Sequence, residues 1–330
     1  MPDISVFRDS TSIAELDGPP SASSFERDAV VRQAPDLHLV VSEGARCTAR
    51  CSLWWTDTPD YEDHTVGLVG HYAAVSSDAG QKVLDRGCRR LADEGCTCAI
   101  GPMDGATWYP YRFVTERGDR PPFVLEPWHP PGYPTHFRDT GFEPMARYVS
   151  SMGADADILR NTSVSDSPPL DGVHVRPLNL DRFDAELRRL HALATASFAD
   201  NFLYTPVPET DFLAHHQEFR PFIDPTLVRL AEQEGNGERR LVGIAFLVPD
   251  VLQAERGETV DTAIFKTLAV HPDVREQGLG RWLTDHMHGT AWQQGYQHVI
   301  HALMHEDNIS RRLGYGSPLR RYALFWRELP

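Results

Sequence analysis

Hydrophobic residues in the second half of the chain switch repeatedly between strand-like runs and helix-like spacing. Short apolar runs predict strands, whereas apolar residues that recur every three or four positions predict amphipathic helices. From residue 173 onward this pattern predicts the following order: strand 173–176, helices 183–198 and 208–219, strands 227–231, 241–248 and 262–270, a helix from 279 to about 295, strand 298–304, a short helix over 308–313 and strand 321–327.

The first half of the chain repeats this plan less regularly. Its predicted elements are helix 25–31, strands 37–41, 45–55 and 65–75, a helix around 83–92, strand 98–100, a helix over 133–141 and strand 144–150. A polar stretch, 154–172, contains Pro168-Pro169 and has little periodicity, which is typical of a linker. The order therefore predicts two lobes, 1–153 and 173–330, joined by the linker 154–172.

The strand predicted over 262–270 leads directly into a glycine-bearing turn. It stops at His271-Pro272, and an R-x-x-G-x-G string over 275–280 then opens an amphipathic helix. Glycines let a backbone approach a ligand closely, and the first amides of a helix face an anion. A Walker loop does not fit, and Leu283 stands where a dinucleotide fingerprint needs its third glycine. The turn predicts a cradle for a phosphorylated ligand; the alternative is an ordinary turn with glycines for steric reasons.

The whole string, L-x-V-x-P followed by R-x-x-G-x-G at a helix start, resembles the acyl-CoA pyrophosphate loop of the GNAT superfamily of N-acyltransferases. The order of elements around it resembles the GNAT order over about 155 residues. The resemblance implies an α/β (α+β mixed sheet) fold of two tandem GNAT-like lobes, each a mostly antiparallel sheet flanked by helices. It also implies that acetyl-CoA is the co-substrate.

The same resemblance implies which residues hold acetyl-CoA. Amides of the loop and two arginine side chains would hold the pyrophosphate, and the strand end would pair with the pantetheine arm. The amide of Val270 would face the thioester oxygen. The implied residues are Leu268, Ala269, Val270, Arg275, Glu276, Gln277, Gly278, Leu279, Gly280, Arg281 and Asn308.

A catalytic acid is implied by a second motif of the family. GNAT proteins often carry N-x6-Y, and Asn308 with Tyr315 has this spacing. A tyrosine can protonate the CoA thiolate as it departs. However, Gly314-Tyr315-Gly316 departs from the usual ending of the family, so Tyr322 in the last strand is the alternative acid.

The usual base of the family is absent. Many GNAT enzymes carry a glutamate on the fourth strand, and Lys266 occupies that position here. His305 at the end of the fifth strand, Asp261 or a water relay could take its place, and an acceptor amine with a low pKa would need little help.

The first half lacks the cofactor loop. From Val75 to Val83 there are 8 positions, against 12 from Val270 to Trp282, and Asp78 would face the pyrophosphate. We therefore expect no CoA in this lobe. Its segment 101–134 is dense in aromatic residues and proline, which is typical either of a wall of an acceptor pocket or of an insertion that covers hydrophobic surface.

The composition of the chain favours some classes of binding partner over others. The formal net charge of −15 over 330 residues disfavours nucleic acid, because affinity for it comes largely from neutralising phosphates, and suits a cationic amine. No apolar stretch approaches the roughly 20 residues of a membrane span. The N-terminus has no signal-peptide pattern, so the cytoplasm is the expected location.

Cysteine and histidine residues do not predict a metal site. The five cysteines have no zinc-knuckle spacing and fall in apolar segments, which favours free, buried thiols. His301 and His305 share a strand face but would lie about 13 Å apart, and His286 and His288 point to different sides of a helix.

The sequence therefore predicts an N-acetyltransferase. It would move an acetyl or short acyl group from CoA to the amine of a small molecule by direct attack, without a metal, as a monomer or homodimer. The alternative is a non-catalytic acyl-CoA-binding sensor or scaffold, which the missing glutamate favours. Aminoacyl transfer from charged tRNA is disfavoured by the net charge and by the intact loop.

Overall fold

A computed structural model describes residues 3–9, 12–13, 16, 18–19, 27–153, 167–235, 237–307 and 316–330. Its strands are β1 (Asp3–Phe7), β2 (Leu37–Glu43), β3 (Arg46–Trp54), β4 (Val66–Ala74), β5 (Cys98–Gly101), β6 (Phe113–Glu116), β7 (Glu143–Gly153), β8 (Val173–Pro177), β9 (Val228–Gly235), β10 (Glu238–Pro249), β11 (Thr262–Val270), β12 (His298–His305) and β13 (Ser317–Glu328). Its α-helices are α1 (Arg27–Gln33), α2 (Ser77–Asp93), α3 (Tyr133–Asp139), α4 (Phe183–Phe198), α5 (Glu209–Gln217), α6 (Val251–Glu255) and α7 (Leu279–Gln293).

Most of these elements were predicted from the hydrophobic pattern. Strand β11 and helix α4 begin and end at the predicted residues. Three short elements, β1, β6 and α6, were not predicted, because five residues or fewer do not establish a period. The helix predicted over 308–313 lies outside the described residues.

The strands form a single mixed sheet. They follow the order β1-β2-β3-β4-β5-β13-β7-β12-β11-β10-β9-β8, and β6 pairs with β13 beside this path. Among the strand pairs of the described residues, β4–β5 and β11–β12 are parallel and the others are antiparallel. The predicted mixed, mostly antiparallel sheet is therefore confirmed.

The last strand of each half lies in the part of the sheet that the other half builds. Strand β13, at the C-terminus, pairs with β5 of the first half, and β7, which ends the first half, pairs with β12 of the second. The two exchanged strands also pair with each other. Hydrogen bonding therefore continues across the sheet from one half to the other.

Helices cover both faces of the second half. Neighbouring residues of a strand point to opposite faces. Leu230 and Ile244 pack in the cluster that includes α4, whereas Ala231 and Ala245 pack in the cluster that includes α7. Helices α4 and α7 therefore sandwich the sheet.

None of the described helices is both long enough and apolar enough to cross a membrane.

The segment 101–134 bridges the two halves. Phe123 is 3% exposed and packs with Met152, Ile264 and Ile300. The Val124 amide donates a hydrogen bond to Asp250 Oδ1 at 2.9 Å. These contacts fit an insertion that covers hydrophobic surface, which is one of the two roles that the sequence left open for this segment.

A buried ion pair anchors the same segment to the exchanged strand β13. Glu126 and Arg320 have fully buried side chains, and Arg320 Nη1 lies 3.0 Å from Glu126 Oε2. Tyr322 donates a short hydrogen bond to the other carboxylate oxygen. Burial raises the pKa of Glu126, against the opposing effects of Tyr322 and Arg320. The second nitrogen of Arg320, Nη2, donates to the Arg120 and Pro121 carbonyls.

The five cysteines are free, as the odd count predicts, and all except Cys47 are buried. Burial raises the pKa of the Cys88 thiol to about 12. These thiols are therefore small packing groups rather than nucleophiles.

Candidate functional site

A gap opens in the sheet between the parallel strands β11 and β12. The two strands pair from Thr262 and His298 as far as Phe265 and His301, and no further. Beyond this point β11 stays paired with β10 as far as Val270, while β12 stays paired with β7. The strands therefore diverge and leave a wedge-shaped gap in the middle of the sheet.

A bulge lies on each side of the gap where the strands separate. Phe246 pairs with Thr267 and Leu247 with Phe265, so Lys266 is the extra residue of β11. In β12 the pairing with β7 shifts between His301 and Met304, and Leu303 has a φ of 58°. Both bulges turn their strands immediately after the last paired residues.

The far end of β11 presents backbone groups to this gap. The His271 amide donates to the Val242 carbonyl of β10 at 2.9 Å. Backbone groups of alternate residues point to alternate edges of a strand, so those of Val270 and Leu268 point away from β10. They face the gap, in the position that the sequence predicts for pairing with a pantetheine arm.

The predicted phosphate loop follows without interruption. Glu276 and Gly278 have φ values of 63° and 86°, in the left-handed region that favours glycine. Gly278 is the N-cap of α7 and offers no side-chain cap, and the first helical hydrogen bond runs from the Trp282 amide to its carbonyl. No described residue accepts a hydrogen bond from the amides of 279–281. These amides can bind an anion.

The two loop arginines differ in their contacts. The Arg275 guanidinium donates to the carbonyls of Val270, at 3.3 Å, and Ser197, so it ties the loop to the end of β11 and to α4. Arg281 is 63% exposed and lies 3.6 Å from Asp285. Arg281 is the more exposed of the two, whereas Arg275, 40% exposed, braces the loop.

The first half has a comparable divergence, but its gap is filled by protein. Strands β4 and β5 pair only from 66 to 68 with 98 to 100. Beyond this, the Met103 amide donates to the Val69 carbonyl at 3.0 Å, and Asp104 accepts from the His71 amide at 2.6 Å. The Ala74 amide donates to the Tyr133 hydroxyl at 3.1 Å. Side chains and loop therefore occupy the space in the first half that corresponds to the gap of the second half.

The start of helix α2 in the first half is also closed. Ser76 caps it by accepting a hydrogen bond from the Ala79 amide at 3.3 Å. A helix start that is capped by its own side chain has one fewer amide for an anion.

The candidate acids have different positions. Tyr315 and Asn308 lie outside the described residues. Tyr322 is 1% exposed, and its hydroxyl donates to Glu126 and lies 3.0 Å from Ser150 Oγ. Burial, reinforced by Glu126, raises the pKa of Tyr322. This hydroxyl is committed to a buried hydrogen-bond network.

The candidate bases are far apart. His305 ends β12 at the gap, and its ring lies 5.0 Å from that of Tyr148. Its Nδ1 accepts from the Asp307 amide at 3.2 Å, which puts the proton of a neutral ring on Nε2. Asp261 precedes β11 at the end remote from the gap, where it accepts from Gln253 and Thr262.

Lys266 lies at the bulge of β11, beside the gap. Its side chain is solvent-exposed, but the protein around it and the nearby Arg112 lower the pKa of its ammonium to about 8. Arg112 comes from the first half, and its Nη1 donates to the Leu303 carbonyl at 2.9 Å. Sequence reasoning missed Arg112, because nothing in a single sequence brings residue 112 to the bulge of β12.

Other groupings of polar residues do not form a second reaction site. A cavity of about 640 Å³ at the far edge of the sheet is lined by Arg176, Glu186, Arg189 and Glu232, but these residues form ion pairs with one another. Among the described residues, no three His, Cys, Asp or Glu side chains are grouped to hold a metal ion. The gap between β11 and β12 is therefore the candidate site.

Comparisons with known proteins address the fold. No family model matches the chain. It is 23% identical over 194 residues to a protein of Caulobacter vibrioides named bacterial ceramide synthase, an alignment that covers 57% of the chain and 49% of that protein. The chain thus spans about half the length of this curated relative.

Two solved structures match nearly all of the chain. The tandem GNAT protein from the clavulanic acid biosynthesis pathway has a TM-score of 0.51 at 13% identity, with 99% of this chain and 98% of that chain covered. The GCN5-related glucosamine N-acetyltransferase region of a fungal multi-domain β-N-acetylglucosaminidase has a TM-score of 0.54 at 14% identity, with 99% of this chain and 38% of that chain covered. The chain has the fold of the tandem GCN5-related N-acetyltransferases.

Proposed function

We propose that the second half of the chain binds acyl-CoA and transfers its acyl group to an amine by direct attack. The observation that carries this proposal is the combination of an open gap between β11 and β12 with a helix start whose amides have no described acceptor. The pyrophosphate would lie on the amides of 278–281, and the pantetheine arm would pair with Leu268 and Val270. The Val270 amide would then donate to the thioester oxygen as negative charge develops.

The contrast between the halves supports one cofactor site per chain. The gap of the first half is filled by Met103, Asp104 and Tyr133, and its helix start is capped by Ser76. Isothermal titration should therefore give one acetyl-CoA per chain. Two equivalent sites would contradict this account of the first half, and no binding would contradict the proposed function.

Release of free thiol separates an enzyme from an acyl-CoA-binding sensor. Lys266 replaces the usual glutamate, and this observation favours the sensor. Acceptors should be screened as small amines, with acyl-CoA of several chain lengths. Long acyl chains and amino alcohols belong in the panel, because the curated relative is named a ceramide synthase and a ceramide is an N-acylated amino alcohol. Acyl-CoA binding without amine-dependent thiol release across this panel would favour the sensor.

Tyr315 is the proposed acid for the departing thiolate. Tyr315→Phe should lower kcat by about 100-fold, at the low end for general acid catalysis, with little change in acetyl-CoA affinity. Tyr322→Phe provides the comparison. It removes a hydrogen bond to the buried Glu126, so it should lower the free energy of unfolding by about 1–3 kcal/mol. Steady-state kinetics and urea unfolding check the pair, and full activity of Tyr315→Phe would contradict the assignment.

A further inference from the structure

Two positively charged residues, one from each half of the chain, lie at the inner end of the gap. Thr262–Phe265 is the paired part of β11, so Lys266 is the first residue beyond the pairing on that side. On the other side, Leu303 follows the last paired residue of β12 by two positions, and its carbonyl accepts from Arg112 Nη1. The two cations therefore approach the apex of the gap from its opposite walls.

Arg112 is buried, and no described carboxylate pairs with it. It is 7% exposed, and its guanidinium lies between the rings of Tyr111 and Tyr148, 3.8 and 4.1 Å from their centres. Aromatic faces attract a cation, but they do not accept its in-plane N–H groups. Of the guanidinium nitrogens, only Nη1 donates to a described residue, and the buried Nε has no hydrogen-bond partner there.

Lys266 also lacks a counter-ion among the described residues. No described carboxylate lies within 4 Å of Lys266 or Arg112. The chain carries 47 acidic residues against 32 basic ones, so acidic residues are abundant elsewhere. Two positive charges on the two sides of one gap repel each other, and a guanidinium cannot lose its charge. An anion at the apex of the gap would relieve both costs.

We propose that Arg112 and Lys266 form a carboxylate-binding site at the apex of the gap. This inference rests on the proposed function, since it assigns the chemistry of a substrate in that same gap. The carboxylate could belong to the acceptor, which would then be an amine that carries a carboxylate, or to the acyl group of a dicarboxylic CoA thioester. In both cases Lys266 contributes a point charge, and Arg112 contributes directed N–H donors.

The experiment compares matched ligands that differ in one carboxylate. Acetyl-CoA binding is measured first by isothermal titration. One arm then measures each common amino acid against its carboxamide, with the protein saturated by CoA. The other arm measures succinyl-CoA against butyryl-CoA. The carboxylate ligand should bind about 10- to 100-fold more tightly than its neutral counterpart in one arm, and that arm identifies the source of the carboxylate.

Variants connect the preference to the two cations. Lys266→Gln should abolish most of the preference for the carboxylate ligand, and Lys266→Glu should reverse that preference. Both variants should bind acetyl-CoA within about 2-fold of the affinity of the original protein. The chain has one other lysine, Lys82, which lies exposed on α2, and Lys82→Gln is the matched control. Arg112→Lys keeps the charge in a buried position and should weaken the preference.

The outcomes distinguish failure of the proposed function from failure of the carboxylate site. If acetyl-CoA does not bind, the proposed function fails and this inference fails with it. If acetyl-CoA binds and neither arm shows a preference for the carboxylate, only the carboxylate site is overturned. A preference that persists in Lys266→Glu would also overturn it.

Discussion

Gly280→Glu should weaken acetyl-CoA binding by about 100-fold while the fold stays intact. A side chain at this position would begin in ordinary contact, with its Cβ 3.5 Å from Val270 Cγ2, so the apo protein has room for it. The new carboxylate would lie near the pyrophosphate in the first turn of α7. Repulsion between charges about 5 Å apart at an effective dielectric constant near 20 costs about 3 kcal/mol, which corresponds to about 100-fold in affinity.

Two further variants isolate the cause of that effect. Gly280→Gln has the bulk of glutamate without its charge, so it should bind acetyl-CoA more tightly than Gly280→Glu. Gly289→Glu adds the same charge two and a half turns further along α7, where a side chain would meet open space, and should bind as the original protein does. Isothermal titration measures all three. Equal affinities for Gly280→Glu and Gly289→Glu would contradict the assignment of the loop.

Glu126→Gln should lower the free energy of unfolding by about 3–5 kcal/mol, because it leaves Arg320 as a buried cation without its carboxylate. Both side chains of the pair are fully buried, so water cannot replace the lost charge. The effect would be felt by both halves, since residue 126 belongs to the first half and residue 320 to the exchanged strand β13. Urea unfolding followed by tryptophan fluorescence measures the change.

An exposed pair provides the control for this variant. Glu258 lies 3.1 Å from Arg256 with its side chain 47% exposed, and exposed pairs contribute about 0–1 kcal/mol. Glu258→Gln should therefore change the unfolding midpoint little. If Glu126→Gln and Glu258→Gln had similar urea unfolding midpoints, the buried pair would contribute no more to stability than the exposed pair.

Local patterns were sufficient to predict most of the fold. Strand β11 is rich in apolar residues, and α4 and α7 have helical spacing, so each was predicted from its own residues. The loop of 275–280 was predicted for the same reason, because left-handed backbone and uncapped helix amides are properties of a short segment. The gap itself depends on where β11 and β12 stop pairing. Family resemblance implied only that the end of β11 would pair with a pantetheine arm.

Contacts between distant residues were not predictable in the same way. Arg112 reaches Leu303 over 191 positions, and Glu126 reaches Tyr322 over 196. Tyr322 was a reasonable alternative acid from its strand position, but its hydroxyl is buried by a partner that no local pattern indicates. Likewise, the sequence identified Lys266 only as the residue that replaces the usual glutamate base. The nearby Arg112 comes from the other half of the chain, so no local pattern indicated it.

The exchange of β7 and β13 interlocks the two halves. A fragment ending near residue 153 would lack β13, the strand that separates β5 from β7. A fragment beginning near residue 173 would lack β7, one of the two neighbours of β12. Proteolytic cleavage of the connecting peptide should thus yield two pieces that remain associated until they are denatured. Neither piece, expressed by itself, should fold as it does in the intact protein.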